Sequence, residues 1–380
     1  MLILFCISLG VIFYAYFGYP LLLMFWKLIG NKPVMKKDIL PMVSVLISVH
    51  NEERHVEEKV KNLLEADYPQ DKMEIVVGCD GSTDQTLAII KRLAEKNKIR
   101  YCVSLERIGK PAMLNKLAQE AGGEIYVFAD ARQRFDRRAI RELVRCFGDE
   151  NVGCASGELI IEDTGEGSGR GVGLYWNYEV WLRKMESDTG SMLGATGAIY
   201  AVRKEFFHSL PEDVLLDDIF TPLNAIMARK RAVFEPAARA FDVASKSTEK
   251  EFMRKVRTLV GNFQIFSLFA EAFNPFRSPV AWQLFSHKFL RLTLSYFLAL
   301  FFISSVFLAR DGLPYRVILF LQVAFYALAV VGHCLEKTRT RISGVPRLAY
   351  IPYEFCVLNA AAVVALFKYL SGGIDIRWDK

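Results

Sequence analysis

Residues 43–53 read Val-Ser-Val-Leu-Ile-Ser-Val-His-Asn-Glu-Glu. An apolar, largely β-branched run over 43–49 gives way at once to polar residues and then to a helical period over 53–65. A run that is apolar at successive positions suits a strand buried on both faces, as in a parallel sheet covered by helices. The pattern repeats down the chain. Strand-like runs at 74–79, 99–105 and 124–129 alternate with helix-like runs at 83–95, 111–120 and 137–147. Such βα units predict an α/β fold with a mainly parallel, Rossmann-like sheet. Ligands of these sheets gather beyond the carboxyl ends of the strands, so the strand endings hold the candidate chemistry.

The first strand ends in His50-Asn51-Glu52-Glu53, the second in Asp80-Gly81-Ser82-Thr83-Asp84 and the fourth in Asp130-Ala131-Arg132. Between them, Ile108-Gly109-Lys110-Pro111 sets a cation at a helix N-terminus, a placement suited to phosphate. Taken singly, each has a plain structural reading: a turn with a helix cap, a strand-end acid, a solvated lysine. Their conjunction in one sheet carries the functional reading. The sequence contains neither GxGxxG nor GxxxxGK[ST], so dinucleotide binding and a P-loop ATPase are not indicated.

Outward from this core the composition changes. The 380 residues are 52% hydrophobic yet 24% charged, which fits a water-soluble domain with membrane segments attached. Residues 2–26 carry no charge, enough helix to cross a core of roughly 30 Å, and lack the basic start of a cleaved leader. Further apolar runs lie at 292–309, 317–335 and about 350–367, the last with Pro352 and Glu354 near its start. Lys27, Lys32, Lys36 and Lys37 follow the first run, and Lys337, Arg339, Arg341 and Arg347 fill the loop before the last. Four crossings with the N-terminus outside put both basic loops, and residues 27 to about 288, in the cytoplasm. The net charge is +6, and seven cysteines without CxxC spacing suit a reduced, cytosol-facing protein. No HExxH is present.

Two other segments stand out. Over 248–273, Phe252, Val256, Leu259, Phe263 and Phe266 recur at helical spacing behind Lys250, Arg254, Lys255 and Arg257, as in an interface helix on the inner leaflet. Residues 163–173, DTGEGSGRGVG, read as a mobile loop without assigned chemistry.

With these residues the chain resembles a membrane-integrated family 2 glycosyltransferase of the GT-A fold, similar to polysaccharide and chito-oligosaccharide synthases. Residues 43–53 resemble that family's opening strand and YNEE, with His50 for Tyr; Asp80–Asp84 matches DGSTD, and 109–115 resembles GKxxALN. Asp130-Ala131-Arg132 sits at the DxD position and Leu216-Asp217-Asp218 at the ED position. Residues 254–258 fall at QxxRW, with Arg254 for Gln and Thr258 for Trp.

The resemblance implies an inverting hexosyl- or N-acetylhexosaminyl-transferase at the cytoplasmic face of the inner membrane. It would move a sugar from a UDP-sugar to a growing cell-surface poly- or oligosaccharide. Rival readings are single-sugar transfer to a polyprenyl-phosphate or other lipid-linked acceptor, and a degenerate scaffold that binds nucleotide sugar. Asp218, beside Asp217, is then the catalytic base. His50, Glu52 and Asp80 hold the base and ribose; Lys110, Arg132 and Arg257 face the diphosphate; Asp130 holds Mg2+ or Mn2+. Thr196 and Gly197, within the glycine-punctuated stretch 194–198, line the acceptor pocket. Threonine at 258 cannot stack on a sugar, so acceptor retention is expected to be weak. The implied organisation is a transmembrane helix (1–27), the GT-A domain (40–245), interface helices (246–287), three transmembrane helices (288–371) and a tail (372–380). The bilayer and an export partner or homo-oligomer are the implied partners; nucleic acid is not among them.

Overall fold

The computed structural model describes residues 1–97, 99–162, 170–243, 248–338 and 346–372. Eight strands form one sheet: β1 (Val43–Val49), β2 (Met73–Asp80), β3 (Arg100–Ser104), β4 (Ile125–Ala129), β5 (Arg134–Phe135), β6 (Val152–Glu162), β7 (Ile199–Arg203) and β8 (Arg231–Val243). Their order is β3-β2-β1-β4-β7-β6-β8-β5. The β3-β2-β1-β4 half is parallel throughout, built by the βα units read from the sequence. The other half is mixed: β7 runs antiparallel to both β4 and β6, β5 antiparallel to β8, and β6 parallel to β8. Four of the seven pairings are parallel, so the sheet is mixed with a parallel majority. Apolar periodicity carries no sign of strand direction, so the reversal at β7 left no trace in the pattern.

Helices cover both faces. Val43, Val45, Ile47 and Val49 of β1 pack with α2 (Val56–Leu64), α3 (Thr86–Asn97) and α5 (Ala139–Arg145). Leu46 and Val76 face the other way, onto α4 (Lys110–Glu120) and the cluster around α7 (Asp217–Met227). The long helix α6 (Arg170–Thr189) lies between β6 and β7 in the chain. The first four residues of α6 belong to the glycine-rich stretch; residues 163–169 of that stretch lie outside the described residues.

Among the described residues, four helices are long and apolar enough to cross a membrane: α1 (Leu2–Gly30), α9 (Ala281–Leu308), Leu313–Leu335 within α10 (Leu313–Thr338), and Ala349–Leu370 within α11 (Pro346–Leu370). The helix of the second span begins at Ala281 and not at the apolar run from 292, whose approach is interrupted by Ser286, His287 and Lys288. Pro352 and Glu354 lie inside α11, where Glu354 is paired with Lys255 of α8 (Thr248–Leu268) at 3.0 Å. The apolar stripe of α8, Val256, Val260 and Phe263, packs on Ala361, Ala362 and Ala365 of α11. Arg339 and Arg341 of the basic loop, and residues 373–380 of the tail, lie outside the described residues.

The soluble and apolar parts share a polar seam. α1 and α9 each contain a π-helical turn, at Tyr14–Gly18 and Leu284–Phe289, and these turns meet: Tyr14 and Ser286 hydroxyls lie 2.8 Å apart, and Trp282 Nε1 donates to the Tyr14 hydroxyl at 2.8 Å. π-turns are rare and concentrate at functional sites. Tyr19 and Leu23 of α1 are fully buried against Leu182 and Met185 of α6.

Candidate active site

The loops after β1 and β2 are tied together. Asn51 adopts φ 53°; its N–H donates to Ser82 Oγ at 3.1 Å, and its Oδ1 accepts from the Thr83 N–H at 2.9 Å. The Glu52 N–H donates to Thr86 Oγ1 at 2.8 Å. His50 Nδ1 lies 2.7 Å from the Asp80 carbonyl oxygen, which can only accept, so Nδ1 carries the proton. Asp80 is 3% exposed, and its two carboxylate oxygens accept from the Ile108 N–H (2.7 Å) and the Gly109 N–H (2.9 Å). The side chain thereby fixes the loop that delivers Lys110. At Gly81, φ is +56°, and a Cβ would sit 2.6 Å from the Arg107 nitrogen, so only glycine makes this turn.

Four charges converge beyond these loops. Lys110 Nζ lies 3.2 Å from Asp130 Oδ1 and 3.4 Å from Asp217 Oδ1. Burial disfavours the Lys110 charge, but Asp130, Asp217 and Asp218 outweigh it and hold the ammonium well above the ordinary lysine range. Tyr200 donates its hydroxyl hydrogen bond to Asp217 Oδ2 at 3.1 Å. Asp218 Oδ2 accepts from the Gly197 N–H at 3.1 Å. Burial first, then Asp217, push the Asp218 carboxyl up to about 6 against the pull of Lys110 and Arg183. Neither acid is a helix cap: Leu216 occupies the N-cap of α7 and no side chain caps it.

Other expected residues sit at the edges. Arg132 is half exposed and turns to Asp242 of β8 at 3.7 Å, which also accepts from Gln133 Nε2 at 2.7 Å. Arg257 lies on α8 immediately before Thr258, which reaches the cavity described next. Among the described residues no three His, Cys, Asp or Glu side chains cluster as metal ligands. Asp130 offers one carboxylate, 40% exposed, with Lys110 on one oxygen. That donor set fits an ion that arrives with diphosphate oxygens of its own; it does not fit one held by protein alone.

Beside Asp218 opens a cavity of about 230 Å3. Its floor is the 194–197 stretch, where a Cβ on Gly197 would stand 3.1 Å from Asp218 Oδ2. One wall is a face of α6 that carries Trp176, Glu179, Arg183 and Glu186, and the far wall comes from His287 and Lys288 of α9. Arg183 Nη1 donates to Thr196 Oγ1. His287 bridges Glu186 (2.7 Å) and Glu179 (3.1 Å), Tyr19 donates to Glu186 at 2.5 Å, and Arg291 pairs with Glu179. Burial opposes the Glu179 charge, yet Arg291 and His287 prevail and hold its carboxyl well below the usual range. These residues escaped the sequence reading. The signal was there: positions 176, 179, 183 and 186 fall on one helix face, and three of the four are charged. A second cleft, about 620 Å3 and lined by Asp67, Arg137 and Arg141, lies where the chain enters β1 and β2, away from the strand ends that carry the charges.

The sequence and the fold have counterparts among known proteins. Residues 44–210 match the family model described as Glycosyl transferase family 2. A probable glycosyltransferase, YdaM, of Bacillus subtilis is 24% identical over 276 residues, 69% of this chain and 64% of that protein. A beta-monoglucosyldiacylglycerol synthase of Nostoc is 27% identical over 187 residues, 47% of this chain and 40% of that protein. The chain thus spans less than two thirds of either relative's length. Among solved structures, a mannosyltransferase from Pyrobaculum calidifontis in complex with GDP-Man and Mn2+ superposes with a TM-score of 0.72 at 24% identity, covering 98% of this chain and 100% of that one. The fold is GT-A-like, with one long apolar helix before it and three after.

Proposed function

We infer, from the family 2 glycosyltransferase domain at residues 44–210, that the chain transfers a sugar with inversion from a nucleotide-sugar to an acceptor hydroxyl at a membrane surface. One observation carries this reading. Asp217 and Asp130 share Lys110, while Asp218, next to Asp217, lines a cavity, so an acid stands between the strand-end cluster that holds Lys110 and an acceptor-sized space.

The residues divide the reaction between them. The acceptor hydroxyl oxygen attacks the anomeric carbon, its proton passes to Asp218, and the bond from that carbon to the diphosphate breaks with its electron pair on the leaving group. An acid that titrates near 6 is ionised at neutral pH yet still basic enough to take the proton. Lys110, at the N-terminus of α4, lies where departing negative charge is balanced by both ammonium and helix dipole. His50 and Glu52, on the interlocked loops, are assigned to the base and ribose, and Asp80 positions that platform from behind. Arg132 and Arg257 are assigned to the phosphates, Thr196 and Gly197 to the acceptor. A divalent ion, Mg2+ or Mn2+, would be held by Asp130 and would neutralise diphosphate charge.

A UDP-sugar is the expected donor, and the GDP-Man of the archaeal mannosyltransferase makes a GDP-sugar the second candidate. A cavity of about 230 Å3 is below the roughly 300–1,000 Å3 of drug-sized sites and suits a single ring. That favours one sugar added at a time to a saccharide over a chain threaded through the protein. Lys27, Lys32, Lys36 and Lys37 after the first span support a cytoplasmic catalytic domain. The experiment is nucleoside-diphosphate release by the purified, reconstituted chain with a panel of UDP-sugars and GDP-Man. Binding of a donor without release, with or without sugar acceptors, would leave the scaffold reading in its place.

A further inference from the structure

We propose that the cavity beside Asp218 is a subsite for an uncharged polyhydroxyl ring, with Trp176 as its stacking platform and Asn262 as the reader of one ring hydroxyl. The inference rests on the glycosyl-transfer reading and specifies what the acceptor presents there: a sugar ring and not a phosphate.

The first observation is Trp176. Its Nε1 donates to the Leu159 carbonyl at 3.2 Å, so the indole is fixed before a ligand arrives. The platform expected on α8 is absent, because Thr258 stands there. Thr258 and Trp176 line the same cavity, so the aromatic face is supplied from α6 instead. A fixed indole offers broad apolar area to the C–H face of a pyranose at small entropic cost.

The second observation is Asn262, 6% exposed on α8 and in the cavity wall. Its Nδ2 donates to the Thr258 carbonyl at 2.9 Å, which settles the orientation of the amide. Oδ1 then accepts no hydrogen bond among the described residues. A buried acceptor in this state is satisfied by a ligand that donates. A sugar hydroxyl donates; a phosphate dianion only accepts.

Charge decides between the two ligand types. The wall carries Arg183 and Lys288 against Glu179, Glu186 and Asp218. Arg183 is engaged by Thr196, and Arg291, behind the wall, pairs with Glu179. No excess of positive charge awaits an anion, whereas phosphate sites gather cations in bidentate reach. Carboxylates, an amide and an indole are the groups that hold neutral sugars.

The test uses the full chain in phosphatidylcholine nanodiscs and two families of probe with a common aglycone: phenyl glycosides (β-glucoside, α-mannoside, N-acetyl-β-glucosaminide) and phenyl phosphate. Calorimetry should find at least one glycoside bound more tightly than phenyl phosphate. Trp176→Ala should weaken that glycoside tenfold or more, and Trp176→Tyr, which keeps a ring, should recover most of the loss. Asn262→Leu should weaken it severalfold, with nucleotide-sugar binding unchanged in every variant as the folding control. Tighter binding of phenyl phosphate, no glycoside binding at all, or a glycoside affinity indifferent to Trp176→Ala would each overturn the proposal. Asp218→Asn keeps the two ideas apart. Glycoside binding that persists while transfer also persists would remove the base and leave the subsite standing.

Discussion

The Gly197 N–H holds Asp218 Oδ2 at 3.1 Å, and the absence of a side chain at 197 is what lets the carboxylate come so close. The bond anchors one carboxylate oxygen of a side chain that lines the cavity. Asp218→Asn keeps the shape and removes the basicity. Transfer should fall by about 10^2- to 10^4-fold while donor affinity, measured by calorimetry, stays within twofold. Near-normal turnover in a folded Asp218→Asn protein would end the base assignment.

The same acid sets a pH dependence. Its carboxyl is raised to about 6, so the ionised base is present above that pH and lost as pH falls through it. The ratio kcat/KM should be flat near pH 7.5 and drop about tenfold per unit below 6. A profile that stays flat down to pH 5 would contradict the environment described for Asp218.

Gly197→Ala brings a methyl to 3.1 Å from Asp218 Oδ2, closer than a relaxed contact. The carboxylate must give by a few tenths of an ångström. Turnover is expected to fall about three- to tenfold, since a shift of about 1 Å can cost a hundredfold. Donor affinity should not change. The reading is steady-state kinetics beside a nucleotide titration.

Lys110→Met removes the cation shared by Asp130, Asp217 and Asp218. Lys110 lowers the Asp218 pKa, so its loss moves the acid limb of the pH profile upward, by about one unit or more. Donor binding should weaken in parallel, and Lys110→Arg should restore much of both. A limb that stays in place would separate Lys110 from Asp218.

Chelation tests Asp130. Excess EDTA should abolish transfer, and Mg2+ or Mn2+ should restore it; Asp130→Asn should raise the metal concentration needed by tenfold or more. Full activity in EDTA would leave the diphosphate to Lys110 and the arginines.

Much of this was legible beforehand, for identifiable reasons. β1 appears where the apolar run lies, residues 43–49, because a strand covered on both faces favours apolar residues on both, interrupted here only by Ser44 and Ser48. The DGSTD loop showed itself because Gly81 and its neighbours are chosen by local backbone geometry. What stayed hidden depends on distant partners. Asp80 read as a ligand-facing acid, and nothing in the sequence signalled that each of its carboxylate oxygens also accepts from a backbone N–H 28 or 29 residues on. The second span concealed its start behind Ser286, His287 and Lys288: Ser286 meets Tyr14 of α1, and His287 meets Glu179 and Glu186 of α6, about a hundred residues upstream. Trp176 lies just past the glycine-rich stretch, where no motif marks it, and its value emerged from its place with Thr258 in the lining of one cavity.

The seam of Tyr19, Glu186 and His287 has a practical corollary for anyone who would trim the molecule. Truncation before Ala281 would remove His287, Lys288 and Arg291 and leave the α6 carboxylates facing solvent where a wall had been. The unit of folding and the unit of catalysis then have different borders: a sheet with its covering helices could survive as a fragment, but the acceptor side of the reaction could not. If the cavity is the acceptor subsite proposed above, exchange of the apolar helices for those of a relative would replace one of its walls and so alter substrate choice.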